Sequence, residues 1–446
     1  LLKYSLFVAK TNKPINHKDV LSGWLDTRHH KDCDDMTRAR TGDQALIREI
    51  NLSIILNALR DHSPLSRAAL AVGTGLNKTT VSSLVQQLLD AQLVTESGIG
   101  KNITGRPGIL LQLNALAGGM IGVEIGVDFI SVILTDFAAH VVWRHQERTE
   151  RRDSQSVILH RAFTNIEAAA KQAQHIGLPV LGMAMGVPGL VDTQSGTLLY
   201  APNLNWENVP LRQMLQSRFD FPVTVDNEAT MAAFGESYFG VARGSRNVLY
   251  VSAGVGIGGG LVLDGRIYPG SAGFAGEVGH MTIEPNGLTC NCGNRGCWET
   301  LASQSAVFRR VHEAIAAGAT SSLSRFKNGK RESLTIPLIV HAAEEGDAVA
   351  LQALTETGMY LGIGLASLIN ILNPEMVVFG GILSLAKEFL MPVIQETIQA
   401  RAMRWSSRSA QIVVAAYGSD ACVMGAVAMI YDQILRQPFK SLRALA

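Results

Sequence analysis

Apolar side chains first settle into a helical rhythm after Asp43, where Leu46, Ile47, Ile50, Ile54, Ile55 and Leu59 recur at steps of three and four. The spacing predicts an amphipathic helix. Ser63-Pro64-Leu65-Ser66 interrupts it, and the Ser66 hydroxyl is placed to accept a bond from a free backbone N–H and so cap a short helix reaching Ala71. Gly73-Thr74-Gly75 makes a turn, Asn77 is the next cap, and a third helix runs to about Ala91. Its Val81, Leu84, Val85, Leu88 and Leu89 form one apolar stripe; Lys78, Thr79, Thr80, Ser82, Ser83 and Gln86 occupy the opposite face. Two strand-like runs follow at 93–96 and 109–113, and the loop between them carries Lys101, Asn102 and Gly105-Arg106-Pro107-Gly108.

Beyond Asn114 the pattern changes to alternating strands and helices. Residues 120–127 and 130–134 read as a hairpin continued by 140–145, then come a helix at 154–176 and a buried strand at 180–187. A short strand at 223–225 leads into a helix from Glu228, and 247–263 repeats the opening theme of two apolar runs about a glycine-rich turn. Helices at 348–372 and 385–401, strands at 376–379 and 411–416, and a closing helix from Ser419 complete the alternation. In that last helix Val423, Met424, Val427 and Ile430 suit either the core or a subunit interface, with the core expected. Two similar α/β halves around a cleft fit this order. Residues 1–42 lack a sustained period and are expected to be a disordered or mis-annotated extension, with translation beginning at Met36 and no role for Cys33. The expected domains are then 43–114 and 115–446.

Of the 446 residues 47% are hydrophobic, enough for a large core divided over two or three domains. The formal charge of +1 excludes a nucleic-acid coat or a membrane-surface binder, so any DNA contact has to be local. No apolar run reaches a membrane span and no signal-peptide core is visible, so the expected location is the cytoplasm, without a membrane partner.

A local DNA-reading surface is what the first segment offers. A short helix, a glycine turn and a helix with a small polar face follow helix-turn-helix grammar, and the basic loop between strands is a wing. Ser, Thr and Gln side chains are suited to hydrogen bonds with base edges and Lys78 to a phosphate, while in the wing Lys101 is a further expected DNA contact and Arg106 is expected to enter a minor groove. The competing reading is a helical subdomain for protein contacts.

The densest chemistry lies further on. His280 precedes Cys290, Cys292 and Cys297, three of the five cysteines, in the order His-x9-Cys-x-Cys-x4-Cys. One imidazole and three thiolates suit a tetrahedral structural Zn²⁺, and the intervening glycines let the chain turn tightly enough to bring them together. Disulfides or buried free thiols are the alternatives, and the expected reducing compartment disfavours the first. Glu277 and Glu299 bracket the cluster, and carboxylates held this way beside a pocket suit a polyhydroxyl ligand.

From about Thr41 onward the chain resembles the ROK family of repressors, open reading frames and sugar kinases. The resemblance rests on Glu277-x-x-His280, the run from Cys290 to Glu299, Gly186-Val187-Pro188-Gly189, Pro202-Asn203-Leu204, Val225-Asp226-Asn227-Glu228-Ala229 and the glycines from Gly254 to Gly260. It implies an α/β fold with a winged helix-turn-helix followed by a two-lobed, actin-like body, and a sugar pocket lined by Asn203, Asn227, Glu228, Glu277, His280 and Glu299. It also exposes departures. The family's phosphate loop, Asp-x-Gly-Gly-Thr-Lys, is here Glu124-Ile125-Gly126-Val127-Asp128-Phe129, without the hydroxyl or the cation. Asp128 sets a like charge against a polyphosphate, worth about 4 kcal/mol of repulsion at ~4 Å and an effective dielectric near 20. The second loop has Val255 for threonine, and the kinase base aspartate is Glu228, a displacement of roughly an ångström that costs ~100-fold in rate. The implied protein is a non-catalytic, sugar-responsive repressor that needs no ATP. It is expected to bind a palindromic operator as a homodimer or homotetramer, with a xylose-, glucose- or N-acetylglucosamine-type effector. A bifunctional kinase with a DNA-binding head and a regulator controlled by a protein partner are the rival readings.

Overall fold

The computed structural model describes residues 44–99, 108–150, 153–326 and 334–438. Leu1–Arg48 and Glu49–Ala446 are separate compact units. The wing tip with Lys101 and Arg106, and the N-terminal stretch containing Met36, lie outside the described residues.

The head comprises α1 (Gln44–His62), β1 (Leu65–Ser66), α2 (Arg67–Thr74), α3 (Lys78–Asp90), β2 (Val94–Ile99) and β3 (Ile109–Leu113). Its antiparallel sheet has the order β1-β3-β2, which with α2 and α3 makes a winged helix-turn-helix. Both caps read from the sequence form: Ser66 Oγ accepts from Ala69 N at 3.2 Å and Asn77 Oδ1 from Thr80 N at 2.7 Å. Val81, Leu84, Val85 and Leu88 are buried. The stripe expected on α1 is corrected: Ile55 and Leu59 are buried with Leu52 and Leu56, whereas Leu46, Ile47, Ile50 and Ile54 are exposed. At 100° per residue these are two opposite faces of one helix.

The first lobe of the body holds β4 (Gly119–Ile125), β5 (Phe129–Thr135), β6 (Val141–Arg148), α4 (Gln155–His175) and β7 (Val180–Val187). It continues with β8 (Leu190–Asp192), β9 (Thr197–Ala201), β10 (Trp206–Val209), α5 (Leu211–Gln216), β11 (Val223–Asn227) and α6 (Glu228–Tyr238). Its main sheet runs β11-β7-β4-β5-β6, with β4–β7 and β7–β11 parallel. Strands β8 to β10 form a small separate sheet that the hydrophobic pattern did not reveal.

The second lobe holds β12 (Val248–Ala253), β13 (Ile257–Leu263), β14 (Arg266–Ile267), α7 (Trp298–Ala302), α8 (Gln304–Ala316), α9 (Ile336–Glu344) and α10 (Ala348–Leu372). It closes with β15 (Met376–Gly380), α11 (Lys387–Arg401), α12 (Arg404–Ser409), β16 (Gln411–Val414) and α13 (Ala421–Arg436). The sheet order is β14-β13-β12-β15-β16, so each lobe opens on an antiparallel hairpin and adds parallel strands on one side. Val423, Met424, Val427 and Ile430 of α13 are core, as read. No helix among the described residues is long and apolar enough to cross a membrane.

Two helices tie the lobes together. α6 lies with Ala229 against β13 of the second lobe, where a Cβ on Gly260 would come within 2.5 Å of the Ala229 carbonyl oxygen. Its other side crosses α13 at glycine: a Cβ on Gly235 would meet Gly425 N at 2.7 Å, and one on Gly425 would meet the Met231 carbonyl oxygen at 1.8 Å. Only hydrogen at both positions allows so close a crossing.

Candidate functional site

His280 ends a 3-10 turn, Val278–His280, and the cysteines sit in the loop that feeds α7. The loop needs its glycines: Gly293 and Gly296 have φ of 92° and 67°, and a Cβ on Gly296 would strike the Glu284 carbonyl oxygen. The loop thereby delivers one donor atom each from His280, Cys290, Cys292 and Cys297, all within 4.8 Å of one another. Cys290 Sγ is 3.6 Å from His280 Nδ1, and Cys292 Sγ is 3.7 Å from Cys297 Sγ. A tetrahedron with metal–sulfur bonds near 2.3 Å and metal–nitrogen bonds near 2.0 Å has edges of about 3.5–3.8 Å. The sulfurs are too far apart for a disulfide, and the donor set fits a four-coordinate metal. Burial pushes the Cys290 and Cys297 thiols up, so binding a metal there would release their protons.

Glu299 opens α7 and stands beside the cluster. Its Oε1 accepts from Cys290 Sγ at 2.8 Å and lies 3.7 Å from His280 Nδ1, while Oε2 takes the Ile257 N–H at 3.4 Å. A Cβ on Gly256 would meet Glu299 Oε2 at 2.6 Å and Asn203 Nδ2 at 3.0 Å, so this glycine keeps open the point where both side chains converge. Asn203 Oδ1 accepts in turn from Asn291 Nδ2, inside the cysteine loop, at 2.8 Å. On the other side of the imidazole, His280 Nε2 is 3.8 Å from Glu277 Oε2. Burial raises the Glu277 carboxyl, partly offset by the neighbouring imidazole. One nitrogen of His280 thus faces the cysteines and the other faces a carboxylate.

Glu228 is the first residue of α6, with Oε2 buried and unpartnered. Burial, aided by the charges of Glu277 and Glu124, holds its carboxyl well above the ordinary range. Asn227 caps the same helix: Oδ1 accepts from Ala229 N at 2.8 Å and Thr230 N at 3.1 Å, and Nδ2 donates to Gly189 O at 3.1 Å. One amide hydrogen of Asn227 is left for a ligand.

Two further acids escaped the sequence reading. Glu124 on β4 is buried, hydrogen-bonded to Cys422, and pushed up to about 8 by desolvation. Asp226 is pushed up to about 6 by burial, although it accepts the Asn227 N–H at 2.7 Å. The sequence signal for each was the motif that contains it, Glu124 at the head of Glu124-Ile125-Gly126-Val127-Asp128-Phe129 and Asp226 in Val225-Asp226-Asn227-Glu228-Ala229, and neither motif marks the acid as buried. In the turn after β4 the Phe129 ring lies on Gly126, where a Cβ would be 2.3 Å from Cε1. In the head, Lys78, Thr79, Ser82, Ser83 and Gln86 are exposed along α3 and Thr80 is half-buried.

Residues 120–433 match the family model described as ROK family. The chain is 36% identical over 397 residues to the xylose repressor of Caldicellulosiruptor bescii, covering 89% of this chain and 99% of that one. Among solved structures, it superposes with a TM-score of 0.75 and 29% identity on a ROK family transcriptional regulator described as a homolog of the E. coli MLC protein, over 90% of this chain and 99% of that one. A ROK family glucokinase from Streptomyces griseus, in complex with glucose and AMPPNP, matches with a TM-score of 0.63 and 30% identity, over 70% of this chain and 99% of that one.

Proposed function

The chain belongs to the ROK family, and from that membership we propose that it is a cytoplasmic, sugar-responsive repressor of carbohydrate-utilisation genes. The observation that carries this reading is Glu299, which converges with Asn203 beside Gly256 and neighbours His280, itself beside Glu277, in a chain that also bears a winged head. Carboxylates accept from sugar hydroxyls, and the amides of Asn203 and Asn227 with His280 Nε2 supply further polar contacts. Glu228 completes the set from α6. Zinc is the metal we assign to His280, Cys290, Cys292 and Cys297, where it would serve structurally by holding the loop and Glu299 in place. Residues 43–114 form the DNA-binding domain and 115–446 the sugar-binding body. Two heads of a homodimer or homotetramer read a palindromic operator through Lys78, Thr79, Thr80, Ser82, Ser83, Gln86, Lys101 and Arg106.

Phosphoryl transfer is not part of this reading. Asp128 and the Phe129 ring occupy a loop that would have to admit a polyphosphate, and Glu228 replaces the shorter base. The relatives favour xylose over glucose or N-acetylglucosamine as effector. A thermal-shift titration with the three sugars tests the pocket: one of them should raise the unfolding midpoint, and Glu299→Ala should abolish the shift. Incubation with ATP and that sugar should yield no phosphosugar. Turnover that disappears in Glu228→Ala would instead establish a kinase carrying a DNA-binding head.

A further inference from the structure

α6 connects the two ends of the proposed regulation. Its first residue is Glu228 in the cleft, its last is Tyr238, and its eleven residues span about 16 Å. Along that length it touches the second lobe through Ala229 on β13 and, through the Gly235–Gly425 crossing, α13, which in turn lies on the first lobe, where a Cβ on Gly122 of β4 would stand 2.3 Å from the Val423 carbonyl oxygen. A rotation of one lobe against the other therefore cannot leave α6 in place. Its far end is equally fixed. Glu236, with no exposed surface, accepts the Val241 N–H at 3.1 Å and the Tyr417 N–H at 3.0 Å, holding the segment after the helix to the body.

That segment meets the head. The Arg60 guanidinium of α1 stands 4.2 Å from the centroid of the Tyr238 ring. Arg60 Nε and Nη2 donate to Asp61 Oδ1 at 2.8 Å and Oδ2 at 3.1 Å, and Arg243 Nη2 donates to Asp61 Oδ1 at 2.6 Å. Tyr238 is packed edge-on against Phe239 and Tyr431, with centroids 5.0 and 6.1 Å apart, and the apolar core of the head is continuous with that of α13. An open cavity of about 570 Å³, bordered by Arg60, Asp61, Tyr238 and Arg243, leaves these polar contacts room to part.

We propose that α6 is the element that transmits the state of the cleft to the head, and that Arg243–Asp61, supported by Arg60 on Tyr238, is the latch through which it does so. This rests on the sugar-binding reading of the cleft. An effector that contacts Glu228 and Asn227 differently in the two lobe arrangements moves the N-terminus of α6, and the helix carries that displacement to the latch. Coupling of this kind requires a two-state element that both sites bias, and the interlobe helix with its polar clasp is such an element.

The test is a charge-reversal cycle on the full chain. Operator affinity is measured with and without the effector sugar for wild type, Arg243→Asp, Asp61→Arg and the double variant, and sugar affinity is measured by calorimetry on each. The ratio of the two operator affinities should fall toward one by about threefold or more in Arg243→Asp, the scale of a partly exposed charge network. Sugar affinity should stay near that of wild type, and the double variant should restore the ratio. A ratio unchanged in both single variants overturns the latch. So does a parallel loss of operator affinity with the ratio kept, because the pair would then only seat the head. A wild type that binds sugar with no change in operator affinity refutes sugar control itself, and the latch with it.

Discussion

Glu299 serves both halves of the site, one carboxylate oxygen toward Cys290 and His280 and the other toward Ile257 N and the space beside Gly256. Its position is therefore only as firm as the cysteine loop. Wild-type protein dialysed against a weak chelator should retain about one equivalent of zinc per chain, as a closed set of four ligands requires. Cys297→Ser should lose it and bind the sugar more weakly, since Glu299 would no longer be held. Less than one equivalent in a fully folded wild type would contradict the assignment. The cluster was legible because its ligands lie within eighteen residues of one another and their spacing is itself the signal. Glu124 and Asp226 were not, because what singles them out is burial, which for Glu124 comes beside Cys422 of α13, far away in the chain. Phe129 was read only as a missing lysine; that its ring covers Gly126 is a fact of packing.

At the scale of elements, the caps were legible and the faces were less so. Ser66 and Asn77 each accept the bond their position announced, because capping depends on residues three apart. α1 failed for an instructive reason: it carries leucine or isoleucine on two opposite faces, so the apolar periodicity cancels and cannot select the buried one. Strands β8 to β10 are three to five residues long, too short to establish an alternation. The α6–α13 crossing was equally invisible, since glycine in a helix reads as a weakness until its partner is known. Gly425→Ala should lower the unfolding midpoint by several degrees, corresponding to about 1–3 kcal/mol of overpacking. Gly73→Ala, in α2 with nothing within 4 Å of the added methyl, should be neutral or slightly stabilising. Equal midpoints for Gly425→Ala and wild type would mean that the helices can separate, which would remove the rigidity on which α6 depends.

For the whole molecule, the alternation of strands and helices revealed two α/β halves, and most of their elements fall within a few residues of where they were expected. The sequence could not place the lobes against each other or the head against the body, because those relations are made by contacts between residues distant in the chain, such as Ala229 on Gly260 and Asp61 on Arg243. Regulation lives at that level: an effector shifts operator affinity only by its differential affinity for two arrangements of the whole chain. The most direct test is fluorescence anisotropy on DNA from upstream of the gene and its neighbours, with and without xylose, glucose and N-acetylglucosamine, at one stated salt concentration. Specific binding that one sugar, expected to be xylose, shifts by about tenfold or more (about 1.4 kcal/mol of coupling) is the predicted result. Specific binding indifferent to every sugar would contradict sugar control and favour control by a protein partner. An absence of specific binding would contradict the repressor reading altogether.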